Sequence, residues 1–251
     1  MKSNALYCQV HNYSLLISRW RKLSKILGLK MTKMLTFDGY PVYEVRSPCI
    51  NQTQGIYLSA GIHGDEAGAV EGLTQWAEKK LERFKSLPLI IYPCLNPWGL
   101  KNNSRYSQNG EDLNRKWGGG TSHPLSFTIQ ERIAKMSFRV AINLHEDYDA
   151  NGVYLYQLSR GQKLKNVGNE ILESCGKFID RDSRNFIEGR KAHNGILRPR
   201  PRNFAAHELP EALYLFRNHT HFSCTLETPS EFDLEARVAA HIKMIDTALK
   251  S

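Results

Sequence analysis

The chain has 251 residues, 41% apolar and 24% charged, with a net charge of +9. Those proportions are those of a globular chain and exclude a low-complexity or collagen-like one, and no run approaches the roughly 20 apolar residues that cross a bilayer. The length suits one large α/β sheet domain over residues 1–251, with residues 1–35 as a basic amphipathic helical extension.

The segment from Tyr13 to Leu27 carries its cations inside the apolar pattern and is followed by no small-residue cleavage site. It therefore does not read as a signal peptide, and the expected location is cytoplasmic. Leu16, Trp20, Leu23 and Leu27 fall at i, i+4, i+7 and i+11, so residues 14–28 form a helix with one apolar stripe, stopped at Gly28. The stripe is expected to pack on the domain. Asp38-Gly39 marks a turn between two strands, and Ile56–Ala60 reads as the first buried strand. A long helix over Glu66–Phe84 and a second apolar strand, Leu89–Leu95, follow. Strand, helix, strand in this order predicts a mixed, mostly parallel sheet sandwiched between helices.

Residues 96–121 are polar and rich in turn chemistry, yet hold Trp98, Leu113 and Trp117. That composition predicts an ordered, functional loop. Ser126–Met136 reads as helix, and Val140–Leu144 as a third buried strand that delivers His145 at its end. Val153–Leu158 is a strand, Gln162–Cys175 a helix, Phe222–Leu226 the last apolar strand, and Leu234–Leu249 the closing helix. Residues 180–203 are basic and interrupted by Pro and Gly, and read as a surface excursion near the site mouth.

Five cysteines, Cys8, Cys49, Cys94, Cys175 and Cys224, include no Cys-x-x-Cys pair. This argues against a disulfide framework or a thiolate metal site. Cationic residues concentrate in 19–33 and 181–202 without the kind of aromatic–basic interleaving that single-strand binding needs, so a solvated face is expected and no nucleic-acid partner.

The chemistry concentrates at the carboxyl ends of the predicted strands. His63 and Glu66 stand three apart in a Gly-rich turn, a half-site for a divalent metal. His145 supplies a third ligand. Two imidazoles and one carboxylate leave tetrahedral zinc one open position, as catalytic sites require. A base must then take a proton from water and give it to the leaving nitrogen, and Glu227 is the candidate. Taken singly, His63 and Glu66 fit a capped turn, His145 an ordinary strand end, and Glu227 a solvated acid; the joint order carries the argument.

His63-Gly-Asp-Glu66, Asn96-Pro-Trp-Gly, Arg105 to Arg115, Leu144-His145-Glu-Asp and Thr225-Leu-Glu227 together resemble the zinc carboxypeptidase family. The match runs from about residue 36 to the end and is nearest the small bacterial members that resemble murein peptide amidases. The resemblance implies one zinc ion per chain, held by His63, Glu66 and His145. It implies that Arg105 steadies the oxyanion, that Asn114 and Arg115 hold the substrate's terminal carboxylate, and that Glu227 is general base and acid. The substrate would be a peptide or acyl amino acid with a free carboxylate. A guanidinium suits the carboxylate role because its planar fork grips both oxygens.

The family's larger members close a tyrosine over the substrate. Here Tyr148, Tyr154, Tyr156 and Tyr214 are available and none is a clear counterpart, with Tyr214 the nearest. The basic residues Arg181, Arg184, Arg190, Lys191, Arg198, Arg200 and Arg202 would favour an acidic substrate. Two other readings compete. An N-acyl amino acid deacylase, resembling the aspartoacylase and succinylglutamate desuccinylase group, shares the metal triad and the Asn-Arg pair. A non-catalytic binding module would be expected to have lost Glu227 or a ligand.

Overall fold

The computed structural model describes residues 9–50, 54–118, 123–201, 204–205 and 208–250. Cys8 and Arg202, singled out above, lie outside them. The four described cysteines are free thiols, and Cys94, Cys175 and Cys224 are buried.

Helix α1 (Tyr13–Leu27) starts where the Asn12 side chain accepts from the Leu15 N–H and ends at Gly28, whose φ of 64° a glycine adopts without strain. Its apolar stripe faces inward. Trp20 is fully buried and donates to the Thr74 hydroxyl at 3.1 Å. Beside it, Arg19 pairs with Glu71 at 2.6 Å and Glu78 at 2.7 Å. The basic helix is thereby docked on the body of the fold.

Strands β1 (Lys30–Phe37) and β2 (Tyr40–Arg46) form the expected hairpin, with Asp38 and Gly39 both at positive φ. Next come β3 (Gly55–Ala60), α2 (Ala67–Lys79), the short α3 (Arg83–Ser86) and β4 (Leu89–Tyr92). The single helix expected over Glu66–Phe84 is therefore two, because Lys80 leaves helical geometry at φ −123° and ψ 40°. β4 is shorter than Leu89–Leu95, since Pro93 cannot donate to a ladder.

The polar loop contains α4 (Pro97–Asn102) and a single 3-10 turn, Leu113–Arg115. It is followed by α5 (Pro124–Ile133), β5 (Phe138–Asp147), β6 (Tyr154–Ser159) and α6 (Val167–Glu173). The basic excursion folds into three short strands, β7 (Phe186–Ile187), β8 (Arg190–His193) and β9 (Ile196–Leu197), joined by positive-φ turns at Glu188-Gly189 and Asn194-Gly195. Helix α7 (Glu211–Asn218) has no counterpart in the sequence reading. β10 (Phe222–Pro229) and α8 (Leu234–Ala248) close the described chain.

The strands form one sheet in the order β1-β2-β4-β3-β5-β10-β6-β9-β8-β7. Its centre, β4-β3-β5-β10, is parallel, while antiparallel pairing dominates the flanks. Alternation along the strands decides which residues meet. Val140, Ile142 and Leu144 of β5, with Phe222, Cys224 and Leu226 of β10, pack under α1, α2, α6 and α8. The intervening residues face the other way, toward α5, α7 and Trp117. His145 and Glu227 belong to that second face and stand directly opposite each other in the β5–β10 register.

Candidate metal centre

The turn after β3 carries two of the three ligand candidates. Gly61 adopts φ 64°, and a Cβ on Gly64 would sit 1.9 Å from the Gly99 carbonyl carbon. Only glycine admits that approach, and it lets the 61–66 turn fold back over the sheet edge with His63 and Glu66 on one side. His145 arrives from the end of β5, two strand positions beyond Asn143. The ligand atoms of His63, Glu66 and His145 lie within 4.8 Å of one another, and all three residues are buried.

The contacts show which atoms converge. Glu66 Oε1 is 2.6 Å from His63 Nδ1, and Glu66 Oε2 is 2.9 Å from His145 Nδ1. Oε2 is nevertheless buried without a hydrogen bond. A carboxylate oxygen and an imidazole nitrogen that are close but misaligned for bonding each other suit a shared third partner. Electrostatics agrees. Burial lowers the proton affinity of His63, but Glu66 and Asp112 outweigh it and raise its pKa to about 9. Burial alone would raise Glu66, yet the two imidazoles hold it well below the usual carboxylate range. Such a centre favours positive charge, and this donor set of two imidazoles and one carboxylate fits a divalent metal.

Around the triad lies a shell of residues that the sequence reading passed over. Asp112 meets His63 Nε2 at 3.2 Å and fixes the ring from behind. Its other oxygen is 3.4 Å from Arg105, whose second contact is Glu66 at 3.4 Å. Glu146, fully buried, accepts from the Gly68 N–H of α2, the Thr228 hydroxyl of β10 and the Arg237 guanidinium of α8. One carboxylate thus ties together the elements around the ligands. The only sequence signal for it was its place next to His145.

Glu227 is 7% exposed and lines the same cleft. Burial raises its proton affinity well above the usual carboxylate value, with Glu66, Glu188 and Asp147 adding to the effect. Asn114 and Arg115 sit on the 3-10 turn that begins where Asp112 accepts from the Asn114 N–H at 2.9 Å. The Asn114 side-chain oxygen accepts from the Glu211 N–H at 2.9 Å. The cleft holds about 1060 Å³ and is lined by Arg105, Asn114, Arg115 and Glu227 together with the triad.

Of the four tyrosines, Tyr148 and Tyr156 line the cleft. Tyr154 is buried beside it and donates to Asp147 at 2.9 Å. Tyr214 instead stacks between Trp117 and His219 at 5.8 and 5.4 Å. Among the described basic residues of 181–202, only Arg190 lines the cleft, over the Phe204 ring at 5.2 Å. Arg181 and Arg184 pair with Glu173 and Asp182, and Arg198 donates to the Lys165 carbonyl.

A crystal structure of a provisionally assigned metallopeptidase from Shewanella amazonensis superposes with a TM-score of 0.85 at 20% identity, covering 96% of this chain and 93% of that one. The metallo-carboxypeptidase from Burkholderia cenocepacia gives 0.73 at 14% identity, with 94% and 68% covered. Carboxypeptidase A from Helicoverpa armigera gives 0.69 at 15%, with 95% and 72% covered. The chain has the zinc carboxypeptidase-like fold. Within that fold, the family model for the succinylglutamate desuccinylase/aspartoacylase catalytic domain matches residues 52–164. A succinylglutamate desuccinylase from Yersinia pseudotuberculosis is 32% identical over 94 residues, which are 37% of this chain and 28% of that protein. The match thus spans less than a third of that relative's length. Among the described residues no helix is long and apolar enough to cross a membrane.

Proposed function

We propose that the chain is a zinc-dependent hydrolase of the carboxypeptidase type that cleaves an amide bond next to a free carboxylate. The supporting observation is the placement of Glu227 directly across the β5–β10 ladder from His145, in the cleft that holds the His63–Glu66–His145 triad. His63, Glu66 and His145 would hold the ion, and zinc so held supplies a Lewis acid that brings the pKa of water near neutrality. Glu227 takes the proton of the attacking water and returns it to the departing nitrogen. Its raised proton affinity suits that second half of the exchange. Arg105 places a guanidinium beside Glu66, where it meets the negative charge that forms on the carbonyl oxygen. Asn114 and Arg115 bind the terminal carboxylate. We place the activity in the cytoplasm.

The cleft, at about 1060 Å³, has room for a short peptide. A second reading, deacylation of an N-acyl amino acid, is favoured by the family model over residues 52–164. A panel of peptides and N-acyl amino acids, offered to zinc-loaded and chelator-stripped protein, separates the two. Turnover should require the metal, and Glu227→Gln should lower kcat by roughly 10²–10⁴-fold. Full turnover by that variant would remove Glu227 from the mechanism.

A further inference from the structure

Beneath the cleft, on the same face of the sheet, lies a polar cluster that the mechanism leaves unused. Glu211, the first residue of α7, is 1% exposed and surrounded by Tyr57 and Ser59 of β3 and Asn143 of β5. The Tyr57 hydroxyl donates to Glu211 Oε1 at 2.5 Å. Asn143 donates to the Ser59 hydroxyl at 2.8 Å. Two buried acceptors are left over, Glu211 Oε2 and Asn143 Oδ1. A proton held on Glu211, or exchange of the two ends of the Asn143 amide, pairs them. Burial raises the Glu211 pKa to about 7, so the proton is available near neutrality.

A buried carboxyl is costly to keep, and an apolar side chain at this position would pack without that cost. The main chain of the same residue indicates what it does. The Glu211 N–H donates to the Asn114 side-chain oxygen at 2.9 Å. With its oxygen turned to that N–H, the Asn114 amide is oriented so that its amino group, a donor, points the other way, and a donor is what a carboxylate requires.

We propose that Glu211 is a positioning residue for Asn114: its buried carboxyl pins the first turn of α7 to β3 and β5, and the N–H of that turn holds the Asn114 amide with its amino end toward the substrate carboxylate. The inference rests on reading Asn114 as a carboxylate anchor. It adds a residue to the site without touching substrate, and it explains why a polar cluster lies under an otherwise apolar helix start.

The test compares Glu211→Gln, which keeps an acceptor and a donor, with Glu211→Ala, in the zinc-loaded full chain. Tyr57→Phe, which removes only the hydroxyl, serves if the alanine variant does not fold. The first readout is hydrogen exchange at the residue-211 N–H, which needs no turnover. It should quicken about tenfold in Glu211→Ala, less in Tyr57→Phe, and stay slow in Glu211→Gln. The second is a pair of substrates, one with a free terminal carboxylate and its carboxamide twin. Glu211→Ala should raise KM about tenfold for the acid, hold kcat within twofold, and leave the carboxamide unaffected, with Glu211→Gln restoring KM. Unchanged exchange in both Glu211→Ala and Tyr57→Phe overturns the proposal, and so does equal damage to both substrates. A wild-type protein that turns over neither substrate defeats the hydrolase reading instead, and the exchange readout still decides the role of Glu211.

Discussion

The two walls of the cleft are built on different terms. The inner wall, formed by the β3 turn, the end of β5 and the start of α8, is a closed set of charges. His63 is backed by Asp112, and Glu146 by Gly68, Thr228 and Arg237. The outer wall, formed by β6 to β9, is buried on its inner side but carries exposed side chains such as Phe186, Arg190 and Lys191, and is held by local pairs. Tyr156 donates to Glu188, Arg184 folds back on Asp182, and Arg190 rests on Phe204. Tyr148 at the mouth is 70% exposed. A reacting centre has to be held to within fractions of an ångström, whereas a wall that meets variable substrates does not. The inner wall therefore reads as chemistry and the outer wall as selection.

The comparison is broken most directly by removing one arginine from each wall. Arg237 and Glu146 lie 2.6 Å apart and are both buried. Arg237→Ala leaves a charge without its counterion in the interior, which typically costs ~3–5 kcal/mol. Arg184→Ala differs, because the Arg184 guanidinium is a third exposed, against 4% for Arg237, so water can take its place beside Asp182, which also keeps the Asn151 and Arg184 backbone N–H groups at 3.0 Å. Asp182 itself is buried, so the loss should be smaller than for Arg237 but not negligible, about 1.5–3 kcal/mol. Denaturant unfolding of the two variants measures the gap, and equal losses would show that the walls are not built differently.

Selection by the outer wall can be tested at Arg190. The lining of the cleft includes Tyr156, Leu158, Phe204, Ala212 and Leu213 together with Arg190, the described cation that the basic segment contributes to it. Among the described residues no carboxylate pairs with that guanidinium. Arg190→Ala should raise KM about tenfold for substrates whose leaving residue is acidic, or about 1.4 kcal/mol. Neutral substrates should be unaffected. Equal turnover of both kinds before and after the change would remove Arg190, and with it the whole basic segment, from specificity.

The same contrast explains what could be read from the sequence. The central strands were legible because each is an apolar run, and His63, His145 and Glu227 because they sit at or just beyond the ends of such runs. Asp112, Glu146, Glu211 and Arg237 were not, because a single charged residue in a helix, a turn or a strand end looks the same whether it is solvated or buried. Their meaning lies in partners 49 to 154 positions away. The helix break at Lys80 had no glycine or proline to announce it. Residues 186–197 did carry turn signals in Gly189 and Asn194-Gly195, but strands of two to four residues with charged faces give too little alternation to recognise. The cations of 181–202 suggested one basic surface, whereas Arg181, Arg184 and Arg198 are taken up by partners within the fold and Arg190 stands at the cleft.

The smallest effect expected is an acid-induced loosening confined to the outer wall. Burial would raise the Asp182 carboxyl, but Arg184 and the backbone N–H groups of Arg184 and Asn151 hold it below its usual range. A carboxylate with a depressed folded-state pKa contributes stability that is fully present above the unfolded value, about 3.9. The contribution is lost as the pH falls through the folded value. Asp182 accepts from the Asn151 N–H, and its own N–H donates to Val153, so this carboxylate joins the β6 approach to the β7–β9 segment. Protonating it should raise exchange at Asn151 and Arg184 as the pH falls below about 3.9, after correction for intrinsic rates, while amides of β3 and β5 stay protected. Asp182→Asn should remove the pH dependence. Simultaneous opening of the central strands would mean that the two walls unfold as one unit, and the division between chemistry and selection would then have no counterpart in stability.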